Sequence, residues 1–299
     1  MKKALIKTLA VAALALAAFS AFAKPKTRTV AQIKKSKTIN IAVFSDKKPF
    51  GYVDENGLYQ GYDVYFAERI AKDLGVKVKY VPVEPAQRVE VLTTGKVDIV
   101  LANFTVTKER AEKVDFALPY MKVALGVVSN EKDPINTIED LNGKTLIIAK
   151  GTTAETFFSE KYPNVKLLKF DQYADAYNAL LDGRGAALST DNTEVLAWAL
   201  ENKGFLVGSG VTSLGNLDTI APAVAKGNKD LLNWLNSEIE KLGKENFFHA
   251  DYEATLREVI NCEHSLEITT TQVLDKGTRI LYEDGRGYWR EFVVCGVDG

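Results

Sequence analysis

Thr38-Ile39-Asn40-Ile41-Ala42-Val43-Phe44, read onward to Ala102, decides the fold. Ile39, Ile41 and Val43 alternate with Asn40 and Ala42, the period-two pattern of a strand. Tyr52-Val53-Asp54-Glu55-Asn56-Gly57 follows and ends in the Asn-Gly signal of a hairpin turn. Asp63 stands where a helix cap belongs, ahead of an apolar face of Val64, Ala67, Ile70, Ala71 and Leu74, and Gly75 supplies the stop. Residues 76–83 predict the next strand, 87–92 a short helix and 97–102 a buried strand. Strand and helix alternating in that spacing argue for a parallel α/β sheet.

The rhythm restarts past residue 130, with strands expected at 145–149, 165–170 and 186–189 and helices at 153–162 and 173–181. A faint echo links the halves. Leu92-Thr93-Thr94-Gly95-Lys96-Val97 leads to Asn103, and Leu180-Leu181-Asp182-Gly183-Arg184-Gly185 leads to Asp191. Each pairs a helix end at Gly with a basic residue, a strand and then a polar residue. Two α/β lobes of similar plan are expected. Asn228 caps a last helix carrying Leu231, Leu232, Leu235, Ile239 and Leu242, with Gly243 as its stop. No further strand–helix series follows it, so that helix is expected to pack back on an existing lobe.

Composition narrows the function. Of 299 residues, 46% are hydrophobic and 26% charged, with 38 Lys+Arg against 39 Asp+Glu. That excludes disorder and gives no electrostatic case for binding a nucleic acid. Two Cys and two His cannot build a zinc ribbon or an iron–sulfur site, so no metal and no cofactor is expected. Residues 1–23 read as a signal peptide: Met1-Lys2-Lys3, an apolar run, then Ser20-Ala21-Phe22-Ala23 with cleavage after Ala23. The uncharged run from Thr8 to Ala23 is shorter than the roughly 20 residues of a spanning helix. No Cys near the cleavage point offers a lipid anchor, so a free periplasmic chain is expected. Removing Lys2, Lys3 and Lys7 takes three from the 38 basic residues, which leaves a mildly acidic mature chain.

Ligands of open α/β sheets bind beyond the ends of parallel strands, at the seam between lobes. Two segments stand at such ends. In Asn103-Phe104-Thr105-Val106-Thr107-Lys108-Glu109-Arg110, Thr107 can cap a helix that puts Arg110 in its first turn. Taken alone, Arg110 reads equally as a surface partner of Asp115 or as a guanidinium fork for a carboxylate, with the Thr105 hydroxyl assisting. In Ala149-Lys150-Gly151-Thr152-Thr153-Ala154-Glu155 a strand turns through Gly151 into a helix, with Thr152 and Glu155 as a capping box. The N–H groups at that helix start suit a small anion, although the phosphate-loop motif is absent. Asp191 is the candidate partner for an ammonium group, with a helix cap as the alternative. Together the three form a clamp for a zwitterion. Enzyme chemistry is thinly supported: His249 and His264 stand away from the strand ends, and both Cys lie in the tail.

The chain from about Thr38 to Arg257 resembles the periplasmic amino-acid-binding proteins of ABC importers. It carries Lys48-Pro49-Phe50, Gly61-Tyr62-Asp63-Val64, Gly95-Lys96-Val97-Asp98, Val114-Asp115-Phe116, Pro119-Tyr120 and Lys150-Gly151-Thr152-Thr153. More narrowly, Val43-Phe44-Ser45-Asp46, Ala102-Asn103-Phe104-Thr105 and Leu188-Ser189-Thr190-Asp191-Asn192-Thr193 resemble the cysteine-binding type. That type carries a histidine where Thr190 stands. The resemblance implies a type II two-lobed fold with hinge crossovers near 122–125 and 218–223. Lobe 1 would comprise 24–122 and 223–260, lobe 2 123–222. It implies that Arg110, Thr105 and the Thr153 N–H hold the ligand carboxylate and that Asp191 holds the ammonium. Phe44 and Arg88 would line the side-chain pocket, and Asn103, Phe104, Gly151 and Thr152 would complete the ligand-binding set. It further implies a monomer that is not an enzyme, that closes on a polar amino acid, cysteine first, and that is read by a membrane permease. Glutamine, aspartate or glutamate as ligand, or a dehydratase on the same scaffold, stand as alternatives. Residues 261–299 depart from the family as an extension with an expected hairpin, and Cys262 and Cys295 there are candidates for a disulfide.

Overall fold

Alternation of Ile39, Ile41 and Val43 does place β1 (Thr38–Val43) in a core, all three side chains being wholly buried. The computed structural model describes residues 27–256, 278–283 and 289–294. The expected signal peptide at 1–23, His264 and the Cys262–Cys295 pairing lie outside the described residues. After β1, β2 (Asp46–Lys47), β3 (Gly51–Val53) and β4 (Tyr59–Gln60) form a small antiparallel sheet, whose Asn56-Gly57 turn is the one expected. β5 (Lys77–Pro82), β6 (Ile99–Val100), β7 (Val114–Phe116) and, much later, a strand at Ala223–Ala225 join β1 in the order β5-β1-β6-[Ala223–Ala225]-β7.

The second sheet is built on β8 (Met121–Asn130), β9 (Thr145–Ala149), β10 (Lys166–Phe170) and β11 (Ala187–Asp191), in the order β10-β9-β11-β8. β12 (Phe205–Val207) and β13 (Leu214–Ile220) add to β8, and the chain then re-enters the first sheet as β14, the Ala223–Ala225 strand. β15 (Thr278–Glu283) and β16 (Trp289–Val294) form the expected tail hairpin, and Leu281 of β15 lies opposite Lys122 of β8. Each sheet holds three mutually parallel strands, as the spacing predicts. Each also holds an antiparallel neighbour that the spacing does not predict, β14 beside β6 and β8 beside β11. Those two strands belong to the return paths between the sheets, where Met121–Val123 and Asp218–Ile220 run antiparallel side by side.

The helix Lys229–Lys244 packs back as expected. Leu231, Leu235, Ile239 and Leu242 are buried in one cluster with Ile39, Ile41 and Phe66 of the first lobe. Three expected details fail locally. Gly243 does not end that helix, which runs through it to Lys244. Asp63 caps nothing: Gly61 is the N-cap of the helix Tyr62–Leu74, and the Asp63 carboxylate accepts from the Asn103 N–H and the Tyr120 hydroxyl instead. Thr152 does cap the helix Thr153–Lys161 by accepting from the Glu155 N–H at 3.2 Å, but the Glu155 carboxylate reaches one residue past the expected box, to the Gly151 N–H.

Candidate ligand-binding site

β6 ends at Val100, and the chain bends sharply at Asn103, whose φ is +42°. The Asp63 carboxylate fixes that bend by accepting the Asn103 N–H at 2.7 Å. Arg88, at the start of the helix Arg88–Thr93, is buried beneath it. Its guanidinium donates to the carbonyls of Pro85, Ala102 and Asn103 and, across the seam, to the Gly151 carbonyl at 3.2 Å. Phe44 and Phe104 cover its faces, 5.5 and 4.7 Å from the guanidinium carbon. Arg110 lies in the short helix Lys108–Lys113, capped by Thr107 as expected. It donates to the Thr105 carbonyl at 2.7 Å and to the Gly151 carbonyl at 2.9 Å.

The opposite wall comes from the second lobe. Thr152 hydrogen-bonds the Ala149 carbonyl, and Thr153 and Ala154 open a helix whose first N–H groups have no intrahelical acceptor. Asp191 is the last residue of β11 and precedes the helix Asn192–Glu201. Its side chain makes no capping hydrogen bond, which removes the alternative reading of it.

Between the walls is a small cavity of about 10 Å³, lined by Arg88, Asn103, Thr105, Leu125, Thr152, Thr153, Ala154, Tyr173, Thr190 and Asp191. That is room for about one water molecule, so the two walls stand nearly closed on each other. Six residues picked out in the sequence therefore meet there: Arg88, Asn103, Thr105, Thr152, Thr153 and Asp191. Phe44, Phe104, Gly151 and Arg110 stand a layer behind, packed on or bonded to lining residues. The Asn103 side-chain Nδ2 is buried without a hydrogen-bond partner, a donor left for whatever fills the space.

Burial, with Arg110 close by, lowers Arg88 to about 9, and burial also lowers Arg110. Burial raises Asp218 to about 6, Asp191 adding to the rise and Arg110 opposing it. The sequence reading missed Tyr173, Lys47, Glu194 and Asp218. Lys47 is wholly buried between Glu194, Thr190 and Asp191; burial works against its ammonium, but Glu194, Tyr173 and Asp191 outweigh that and raise it.

Over residues 39–254 the chain matches the bacterial extracellular solute-binding proteins, family 3. It belongs to that family. A solved L-cysteine solute receptor of Neisseria gonorrhoeae is 54% identical, with a TM-score of 0.76, covering 78% of this chain and 96% of that one. The cysteine-binding protein of Campylobacter jejuni is 50% identical, also at a TM-score of 0.76, covering 79% and 96%. Among curated relatives, the ABC transporter glutamine-binding protein GlnH of Bacillus subtilis is 30% identical over 239 residues, 78% of this chain and 86% of that protein. The two-lobed fold expected from the sequence stands, and this family 3 protein is a solute binder of amino-acid import rather than an enzyme. Among the described residues no helix is long and apolar enough to cross a membrane.

Proposed function

We propose that this family 3 protein captures free cysteine in the cavity between its lobes and hands it, as a periplasmic monomer freed by cleavage after Ala23, to an ABC permease. The observation that carries the reading is the lining of the cavity itself, which brings Arg88 of the first lobe together with the Thr152–Ala154 helix start and Asp191 of the second. The α-carboxylate would lie against Thr105 and the Thr153 N–H with Arg110 behind, and the α-ammonium against Asp191. Phe44, Arg88, Asn103 and Phe104 would shape the side-chain end, and Gly151 and Thr152 would set its floor. The 50–54% identity to a cysteine receptor and a cysteine-binding protein supports cysteine over glutamine, the ligand named for a relative at 30%. On this reading residues 24–122 with 223–260 move as one lobe against 123–222, hinged where β8 and β13 run side by side.

A thermal-shift screen of the purified mature protein against the twenty amino acids and cystine tests this. At 100 times its dissociation constant a ligand stabilises the native form by about 2.7 kcal/mol. Under reducing conditions cysteine is expected to give the largest rise in Tm. A largest rise with glutamine would sink the cysteine assignment, and no rise with any amino acid would sink the function.

A further inference from the structure

Asp46, Lys47 and Lys48 lie side by side at the edge of the first lobe, and each touches the second. Asp46 accepts the Ala174 N–H at 3.0 Å, at the start of the helix Tyr173–Leu181. Lys48 pairs with Glu201 at the surface. Between them, strand alternation turns Lys47 inward. Its ammonium donates to Glu194 and, at 3.0 Å, to the Thr190 hydroxyl. It stands 3.6 Å from the Asp191 carboxylate and 4.0 Å from the centre of the Tyr173 ring.

Charge counting gives this arrangement a purpose. Asp191 and Glu194 are both buried in one corner of the second lobe, where like charges disfavour each other. One ammonium from the opposite lobe leaves a single negative charge in excess, which one α-ammonium matches. A buried ion pair that loses one partner leaves the other desolvated and unpaired. Here the pair spans the seam, so parting the lobes returns both groups to water without unfolding either.

We propose that Asp46-Lys47-Lys48 is a clasp between the lobes, with Lys47 as a positioning residue that holds Glu194 and Asp191 at the cavity wall in the closed form. Its ligand-facing half rests on the reading of the cavity as an amino-acid site; its structural half does not. Closure draws on protein-to-protein contacts, and the amino acid adds its differential affinity for the closed state.

Lys47→Met keeps the apolar stem and removes the charge. Small-angle scattering reads closure, and calorimetry with cysteine reads affinity. The variant is expected to be more open than wild type with and without ligand, and to bind about a hundredfold more weakly. Adding Glu194→Gln, which removes the stranded carboxylate, is expected to restore much of both, because the two sites are coupled. Wild-type compactness and affinity in Lys47→Met, or losses that merely add in the double variant, would overturn the clasp. Should Lys47→Met not fold, Asp46→Ala with Lys48→Met, both away from the buried pair, must still open the ligand-free protein; unchanged scattering there overturns the clasp too. If wild type binds no amino acid, the proposed function fails, while scattering of the ligand-free proteins still decides the clasp.

Discussion

Gly151 accepts two of the hydrogen bonds that cross between the lobes. Its carbonyl accepts from Arg88 at 3.2 Å and from Arg110 at 2.9 Å, and its φ is +73°, where a side chain is strained. A Cβ there would lie 2.5 Å from the Ala86 Cα and 2.8 Å from its nitrogen, both backbone atoms that cannot swing aside. Gly151→Ala is therefore expected to hold the lobes apart and to weaken cysteine binding roughly tenfold or more, because the clash with the Ala86 backbone penalises closure. Calorimetry checks the affinity, and an unchanged dissociation constant would show that the close approach to Ala86 is not needed for capture. Gly151 was legible in the sequence because it sits between a strand and a capped helix. Lys47 was not, since its partners Thr190 and Glu194 lie 143 and 147 residues away and nothing beside it marks a lysine for burial.

At the scale of elements, periodicity found what was long enough to show a period. β9 and the helix Tyr173–Leu181 fall where expected, and β1 and β10 within a residue of it. β6 and β14 span two and three residues, too short for alternation to say which way they run. Their direction is set by pairing partners far along the chain. Caps were legible where a side chain could reach the next turn, as at Thr107, Thr152 and Asn228. Asp63 misled because its carboxylate is drawn to Asn103 and Tyr120 by tertiary contacts. Asn228 is nearly buried, accepts from the Leu231 N–H and donates to the Arg28 carbonyl at 3.1 Å, so it anchors both the helix and the chain before β1. Asn228→Ala is expected to cost about 1 kcal/mol, the usual value of an N-cap. In a domain of this size that lowers Tm by about 2–4 °C. Calorimetric melting of ligand-free protein measures it, and a Tm within error of wild type would mean the cap contributes nothing.

For the molecule as a whole, the buried acids set a pH dependence with a definite sign. Burial raises Asp63 to about 7, against the hydrogen bonds from Tyr120 and Asn103 and the nearby charges of Lys47 and Arg88. Burial, with Asp63 adding to it, pushes Asp251 well up. An acid raised on folding binds its proton more tightly in the native state, so between its unfolded value near 4 and its folded value stability falls as pH rises. Other acids act oppositely. The Leu58 N–H holds Asp54 below its ordinary value, and the Thr137 and Asn136 N–H groups do the same for Asp140. Their contribution is present above about pH 4 and is lost on further acidification. Ligand-free protein is therefore expected to be most stable near pH 5 and to lose Tm steadily up to pH 7.5. Asp63 alone accounts for at most about 1.4 kcal/mol per pH unit over that span. Asp63→Asn keeps an acceptor for Asn103 and removes the titration, so its Tm curve should be flatter between pH 5 and 7 and meet or exceed wild type at the upper end. Parallel curves for the two proteins would mean that Asp63 is ionised throughout. The carboxylate that joins the Asn103 bend to Tyr120, at the threshold of the crossover strand, would then be a fixed charge and not a buried proton.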